Sequence, residues 1–276
     1  MGIKDYLIAV DLDGTLITGF DKYDKKSFRY LRKLAKKNKI VIATGRPLRS
    51  SKYYYDLLGL NTPIINYNGA LVQNPNDMNF KKSLITIDRH DLFKFIDENE
   101  DIIDTVFCED EDDIYLHKET EYVGPYLHSD GGKVVTGDLR HGLKQNPNGA
   151  ILFTHLGSEA RLEEYVNRVF QGRILIRFWY VKNVVVSEFY SNQTSKANAL
   201  MKVASYYNIT QDKIIAIGDG HNDIEMINYA GYGIAMGNGH KELLKVAKYT
   251  TKPVKEHGVY YILKNFKKLI LKGKKF

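Results

Sequence analysis

Two aspartates, Asp11 and Asp13, directly follow a run of apolar residues at positions 6–10. In an extended chain, residues i and i+2 point the same way, so both carboxylates would project together from the end of a strand. Two like charges that close together repel each other, and a bound cation or a retained proton relieves the repulsion. A single Asp-x-Asp-Gly segment is more typical of a polar turn, so the other segments must decide between a turn and a functional site.

A second polar cluster, Thr44-Gly45-Arg46, follows the apolar run 40–43. Thr44 offers a hydroxyl group. The backbone N–H groups of the turn, including that of Gly45, can face an anion at the start of the next helix. A Thr-Gly-Arg turn is by itself also typical of a helix cap.

A glycine-rich loop after the apolar run 214–217 carries Asp219, Asn222 and Asp223. Lys196 lies in the first turn of a helix that the apolar spacing predicts over 195–207. A lysine at that place is unfavourable for the helix dipole, which slightly favours a role beyond the helix surface. Surface lysines are nevertheless common on helices.

The elements between these clusters explain how the clusters could meet. Residues 25–39 carry apolar side chains at helical spacing, which predicts an amphipathic helix between the first two strands. Strand, helix and strand then form a βαβ unit with parallel strands. Ligands of such sheets bind at the carboxyl ends of the strands, where all three clusters would lie. The predicted fold class is α/β, with a Rossmann-like core and a mainly parallel sheet.

The pattern changes beyond residue 82. Several strands become short or alternate in polarity, which indicates a sheet with one exposed face. We therefore predict an inserted α+β domain over 83–189, between two parts of one core domain at 1–82 and 190–276.

Composition restricts the class of protein. The 276 residues carry a net charge of +7, which is compatible with nucleic acid, with phosphorylated small molecules or with a lysine-rich surface. No apolar run is long enough for a bilayer span, and the amino terminus lacks an export signal, so we expect a cytoplasmic protein without a membrane partner. The single cysteine, Cys108, excludes an internal disulfide and is expected to be a buried thiol.

Together, the strand ends and one helix start supply an oxygen-rich set of side chains. Four carboxylates with few basic neighbours favour a hard divalent cation, and Mg²⁺ fits because it shares sites with phosphate. A lysine, a threonine and turn amides suit the outer oxygens of a phosphate. Phosphoryl transfer uses both a metal ion and groups that bind phosphate. The side chains of this set are Asp11, Asp13, Thr44, Lys196, Asp219, Asn222 and Asp223.

These residues resemble the four motifs of the haloacid dehalogenase superfamily of phosphatases. Their order and the position of the insert are similar to the Cof-like branch, type IIB, whose large α/β cap corresponds to 83–189. Two departures adjoin the site: Gln193-Thr194 and His221 replace residues that are more usual there. The matching segments are Asp11-Leu12-Asp13-Gly14-Thr15-Leu16, Thr44, Lys196 and the loop from Gly218-Asp219 to Asn222-Asp223.

The resemblance implies a role for each residue. Asp11 would be the nucleophile that forms an aspartyl-phosphate, and Asp13 the general acid and then the base. Mg²⁺ would be held by Asp11, the backbone carbonyl of Asp13, Asp219 and Asp223. The phosphate would be bound by Thr44, Gly45, Lys196 and Asn222, and Arg46 is a candidate for contact with the substrate.

The leading hypothesis is a Mg²⁺-dependent phosphatase for a small organic phosphate ester, such as a sugar phosphate or a phosphorylated cofactor. A phosphomutase keeps the same aspartates and stays open as an alternative. The net positive charge also permits a protein of a different class, a nucleic-acid-binding protein on a degenerate enzyme fold. Against this alternative, every expected catalytic side chain is present. We expect neither a nucleic-acid partner nor an obligate protein partner.

Overall fold

Strands and helices alternate along most of the chain in the computed structural model, which describes residues 3–19, 22–110, 112–181 and 183–271. The strands are β1 (Leu7–Val10), β2 (Lys39–Ile42), β3 (Ile64–Asn66), β4 (Leu71–Gln73), β5 (Ser83–Leu84), β6 (Ile103–Asp110), β7 (Asp113–Leu116), β8 (Val134–Thr136), β9 (Ala150–His155), β10 (Ile174–Val181), β11 (Val184–Ser191), β12 (Ile214–Gly218), β13 (Tyr232–Ala235) and β14 (Tyr249–Thr250). The helices are α1 (Lys25–Ala35), α2 (Leu48–Leu58), α3 (Arg89–Asp97), α4 (Gly124–Leu127), α5 (Leu139–Gly142), α6 (Glu159–Phe170), α7 (Lys196–Tyr206), α8 (Ile224–Tyr229), α9 (Lys241–Val246) and α10 (Gly258–Phe266).

The chain divides into two units. The core unit comprises the described residues within Met1–Arg46, Ser51–Ser83 and Ser195–Phe276, and the inserted unit comprises those within Pro47–Ser50 and Leu84–Thr194. The family resemblance implies catalysis in the core at 1–82 and 190–276 and substrate specificity in the cap at 83–189, and both assignments stay predictions.

A five-stranded parallel sheet in the order β14-β13-β12-β1-β2 forms the centre of the core unit. β1 lies in its interior, with Ala9 between Ala216 of β12 and Val41 of β2. All four residues of β1 are buried, as expected for a parallel strand that is covered on both faces. The predicted α/β fold is confirmed, and the residues after β1, β2 and β12 lie at one edge of the sheet.

Helix α1 begins and ends at side chains that bind its terminal backbone groups. Asp24 accepts the N–H groups of Lys26 and Ser27 at its start, which is the usual role of an N-cap aspartate. The predicted helix over 25–39 is too long. Asn38 Nδ2 donates to Leu34 O at 2.9 Å, and this bond satisfies a terminal carbonyl after the helix has stopped.

A hairpin of β3 and β4 extends the core unit, with Ile65 opposite Val72. A parallel bridge between Ala43 and Ile65 attaches β3 beside β2. From the sequence, the apolar residues at 63–65 predict β3, and the polar residues after them predict a tight turn. The strand β4 is not predicted.

A six-stranded sheet in the order β10-β11-β9-β6-β7-β8 forms the inserted unit. Its pairs are antiparallel except for β7 and β8. Phe95 of α3 and Leu162 of α6 pack with Leu152 in one apolar cluster on this sheet. Cys108 of β6 is buried in the same cluster, which confirms the expectation of a buried thiol.

Among residues 3–19, 22–110, 112–181 and 183–271, no helix is both long enough and apolar enough to span a bilayer. The cytoplasmic location stays a prediction.

Candidate active site

The loop after β1 brings Asp11 and Thr15 against the loop after β12. Asp11 N–H donates to Ile217 O at 3.0 Å, and Thr15 Oγ1 donates to Asp219 Oδ1 at 2.8 Å. Gly14 has a φ of +78°, and a Cβ on it would lie 2.0 Å from Asp219 Oδ2. Glycine therefore meets two needs here, a left-handed backbone and the close approach of a carboxylate.

Lys196 extends from the first turn of α7 into this group of carboxylates. Its Nζ donates to Asp11 Oδ1 and to Asp223 Oδ1, both at 2.7 Å, and its side chain is fully buried. Asp223 is held in turn, because its Oδ2 accepts the N–H groups of Asp219 and Gly220 at 2.9 Å. One amine thus joins the first sequence motif to the fourth.

The acidic cluster, defined as Asp11, Asp219 and Asp223, carries more negative charge than Lys196 balances. Burial raises the pKa of Asp11 well above its usual value, although Lys196 lowers it. Burial also raises the pKa of Asp219 to about 6, while the hydrogen bond from Thr15 opposes the shift. Burial alone would lower the pKa of Lys196, but Asp11 and Asp223 outweigh it and raise that pKa.

The acidic cluster fits a divalent cation. Its three residues each offer a carboxylate oxygen, and these oxygens lie within 4.8 Å of one another. Three carboxylates facing one ammonium leave two negative charges, which such a cation would neutralise. An all-oxygen donor set favours a hard ion such as Mg²⁺. The side chain of Asp13 is bound elsewhere, so its predicted part in metal binding concerns its backbone carbonyl and stays a prediction.

Arg46 binds the carboxylate of Asp13. Its Nε donates to Oδ2 at 2.7 Å and its Nη2 to Oδ1 at 2.6 Å, which is the bidentate geometry that suits arginine. Arg46 is only 6% exposed, whereas the side chain of Asp13 is 52% exposed. Among the described residues, the buried Nη1 of Arg46 has no hydrogen-bond partner. An unsatisfied buried donor is costly, and an acceptor oxygen on a ligand would satisfy it.

The predicted phosphate-binding residues all lie in the core unit. Thr44 is fully buried, and its Oγ1 accepts the N–H of Arg46 at 3.1 Å, which leaves the hydroxyl proton available to donate. Gly45 follows in the same turn. Lys196 binds two carboxylates of the acidic cluster, and Asn222 follows Asp219 on the fourth-motif loop. Their contact with a phosphate stays a prediction.

Two asparagines that sequence reasoning left without a role hold these loops together. Asn238 Nδ2 donates to Gly14 O at 2.9 Å and to Asp219 Oδ2 at 3.3 Å. Asn68 Oδ1 accepts from Asn222 Nδ2 at 2.8 Å. The available signal was their position, because both stand beside a glycine just beyond a core strand, as Asp13, Thr44 and Asp219 do.

The arrangement can be compared with known proteins. A model of the haloacid dehalogenase-like hydrolases matches residues 8–263. The chain belongs to this family. It is 33% identical over 268 residues to 5-amino-6-(5-phospho-D-ribitylamino)uracil phosphatase of Bacillus subtilis (strain 168), a match that covers 96% of this chain and 99% of that protein.

Solved structures of haloacid dehalogenase-like proteins share the fold. A haloacid dehalogenase-like hydrolase from Bacteroides thetaiotaomicron superimposes with a TM-score of 0.80 at 23% identity, covering 95% of this chain and 100% of that one. A sugar phosphatase of subclass IIB superimposes with a TM-score of 0.76 at 21% identity, covering 95% and 98%. The predicted Cof-like relationship is confirmed, and the chain is a phosphatase of the haloacid dehalogenase type.

In the metal-free protein, we expect the Asp219→Asn variant to gain thermal stability over the wild type as the pH rises. The pKa of Asp219 lies near 3.8 in the unfolded chain and is raised to about 6 in the folded one. The proton that the native state retains therefore stabilises it below the unfolded pKa, and this contribution is lost as the pH rises through the folded pKa. Thermal unfolding after EDTA treatment, followed between pH 4 and pH 7, measures the difference.

Mg²⁺ supplies the control for this experiment. Near neutral pH it should raise the wild-type unfolding midpoint, because it binds the folded state, and it should raise the variant's midpoint much less. A difference between the two proteins that does not change with pH would contradict the account of Asp219.

Proposed function

We propose that this chain is a Mg²⁺-dependent phosphatase that hydrolyses a small organic phosphate monoester through an aspartyl-phosphate on Asp11. The observation that carries the proposal is the different surroundings of two neighbouring aspartates. Asp11 lies buried in the acidic cluster against Lys196, whereas Asp13 lies half-exposed against Arg46. Such a pair of environments supports two different roles for two carboxyl groups.

In the first step, a carboxylate oxygen of Asp11 attacks phosphorus and the bond from phosphorus to the ester oxygen breaks. Lys196 already binds Asp11 Oδ1, which orients the carboxylate and leaves Oδ2 to attack. A bound Mg²⁺ would supply charge neutralisation for the approach of two anions. Thr44, Gly45 and Asn222 would bind the outer phosphate oxygens.

Asp13 would give a proton to the departing alcohol oxygen. In the second step it would take a proton from water, whose oxygen attacks phosphorus and releases phosphate from Asp11. Both oxygens of Asp13 accept hydrogen bonds from Arg46, so proton transfer requires that one of these bonds be released. An ester oxygen that accepts from Nε or Nη2 of Arg46 would compete for those bonds.

For the substrate, we propose a phosphate at the end of a polyhydroxylated chain, with 5-amino-6-(5-phospho-D-ribitylamino)uracil as the first candidate. Support comes from the relative of that name, which matches this chain over nearly its whole length. The sugar phosphatase with the same fold supports the broader class of sugar phosphates.

We expect Asp11→Asn and Asp13→Asn each to lower kcat by at least about 10³-fold, because each change removes a group that acts on the reacting atoms. Both changes are nearly isosteric, so thermal unfolding should still show a folded protein. Steady-state phosphate release measures the loss. Asp56→Asn, which alters an exposed ion pair with Lys52, is the matched control and should keep full activity. Appreciable turnover by Asp11→Asn would exclude the covalent route.

A panel of sugar phosphates and phosphorylated cofactor precursors, assayed with Mg²⁺, should identify an ester that releases inorganic phosphate. Excess EDTA should abolish that release, and added Mg²⁺ should restore it. Activity that persists in EDTA would remove the metal from the mechanism. An isomerised phosphate ester in place of inorganic phosphate would favour the phosphomutase.

Arg46→Lys should lower kcat/KM by about 10–100-fold, because lysine keeps the charge but cannot form the bidentate bond to Asp13. Arg161→Lys is a matched control, since Arg161 forms a similar pair with Asp101 at exposed positions. An unchanged kcat/KM in Arg46→Lys would remove Arg46 from the reaction.

A further inference from the structure

The turn that follows β3 has an unusual backbone. Tyr67, Asn68 and Gly69 all have positive φ, at 49°, 53° and 105°. The left-handed region is costly for residues with a side chain, and asparagine tolerates it better than most. Strained conformations of this kind persist only where the surroundings hold them, and they cluster at functional sites.

This turn holds the second motif by its backbone. Asn68 N–H donates to Thr44 O at 3.0 Å, and Tyr67 N–H donates to Arg46 O at 3.3 Å. Asn66 adds a side-chain bond from its Nδ2 to Arg46 O at 2.8 Å. The carbonyl groups on both sides of Gly45 are therefore fixed by the same turn.

The turn also lies against the third and fourth motifs. A Cβ on Gly69 would lie 2.2 Å from Ser195 O, so the backbone just before Lys196 passes directly beside it. Asn68 Oδ1 accepts from Asn222 Nδ2 at 2.8 Å. A Cβ on Gly220 would lie 2.3 Å from Asn222 Oδ1, so the amide oxygen of Asn222 lies directly against the backbone of that glycine.

We propose that Asn68 is a positioning residue, which orients the amide of Asn222 so that its second N–H points to the phosphate. The inference deepens the proposed function and rests on its assignment of Asn222 to the phosphate. Of the two Nδ2 protons of Asn222, the bond to Asn68 uses one, and the other stays available as a donor. Without Asn68, the amide could rotate and present its carbonyl oxygen, which repels a phosphate oxygen.

Asn68→Gly tests this role without straining the backbone, because glycine adopts positive φ readily. Asn208→Gly is the matched control, since Asn208 has the same φ of 53° and is exposed at the end of α7. Both changes increase the entropy of the unfolded chain in the same way. The probe is inorganic phosphate in the presence of Mg²⁺, titrated calorimetrically against the full-length protein.

We expect Asn68→Gly to raise the dissociation constant of phosphate by about three- to ten-fold, the range that one hydrogen bond supports. Asn208→Gly should leave it unchanged, with a similar unfolding midpoint. In an Asn222→Ala background, Asn68→Gly should raise the dissociation constant of phosphate by less than about two-fold, because the effects of coupled residues are not additive.

Three outcomes would overturn the inference. Unchanged phosphate binding in Asn68→Gly would do so. An equal loss of phosphate affinity on Asn68→Gly in the wild-type and Asn222→Ala backgrounds would also do so. Unchanged binding in Asn222→Ala would remove Asn222 from the phosphate site and the inference with it. If binding changes as expected but no phosphate ester is hydrolysed, the proposed function fails while the role of Asn68 stands.

Discussion

The buried ammonium of Lys196 is the interaction on which the site depends. It binds Asp11 and Asp223 at equal distances of 2.7 Å and so ties together three chain segments that are far apart in sequence. Removing such charges from water is costly unless each finds partners. Three carboxylates still outnumber one amine, and the remaining negative charge makes the cluster a place for a divalent cation.

Close backbone approach makes this concentration of charge possible. A Cβ on Gly14 would meet Asp219 Oδ2 at 2.0 Å, and a Cβ on Gly218 would meet Asp223 Cγ at 2.4 Å. Gly14 is therefore needed for space as well as for its positive φ, whereas Gly218 is needed for space. Because the parallel strands β1 and β12 pair in register, the two glycine-containing loops start at the same level and their side chains meet.

The second electrostatic feature is the separation of Asp13 from that cluster. Arg46 lies in the turn after β2 and gives Asp13 a cationic partner of its own, while Asp11 shares Lys196 with Asp223. Two aspartates only two residues apart thus belong to different charge networks. The proposed mechanism asks different work of the two carboxyl groups, since Asp11 attacks phosphorus while Asp13 transfers a proton, and Asp13 can do so only when a bond to Arg46 is released.

The sequence by itself determined the parallel core sheet, through continuous apolar runs, and the residues at its edge, through polar types at the ends of those runs. It also identified Lys196, by the family motif and by an unfavourable position on its helix. Only the tertiary structure decided that Arg46 binds Asp13, that Asn68 contacts Asn222, and that Asn238 bridges two loops. Those contacts join residues 33, 154 and 224 positions apart in the chain, and local pattern carries no information about pairing at such separations.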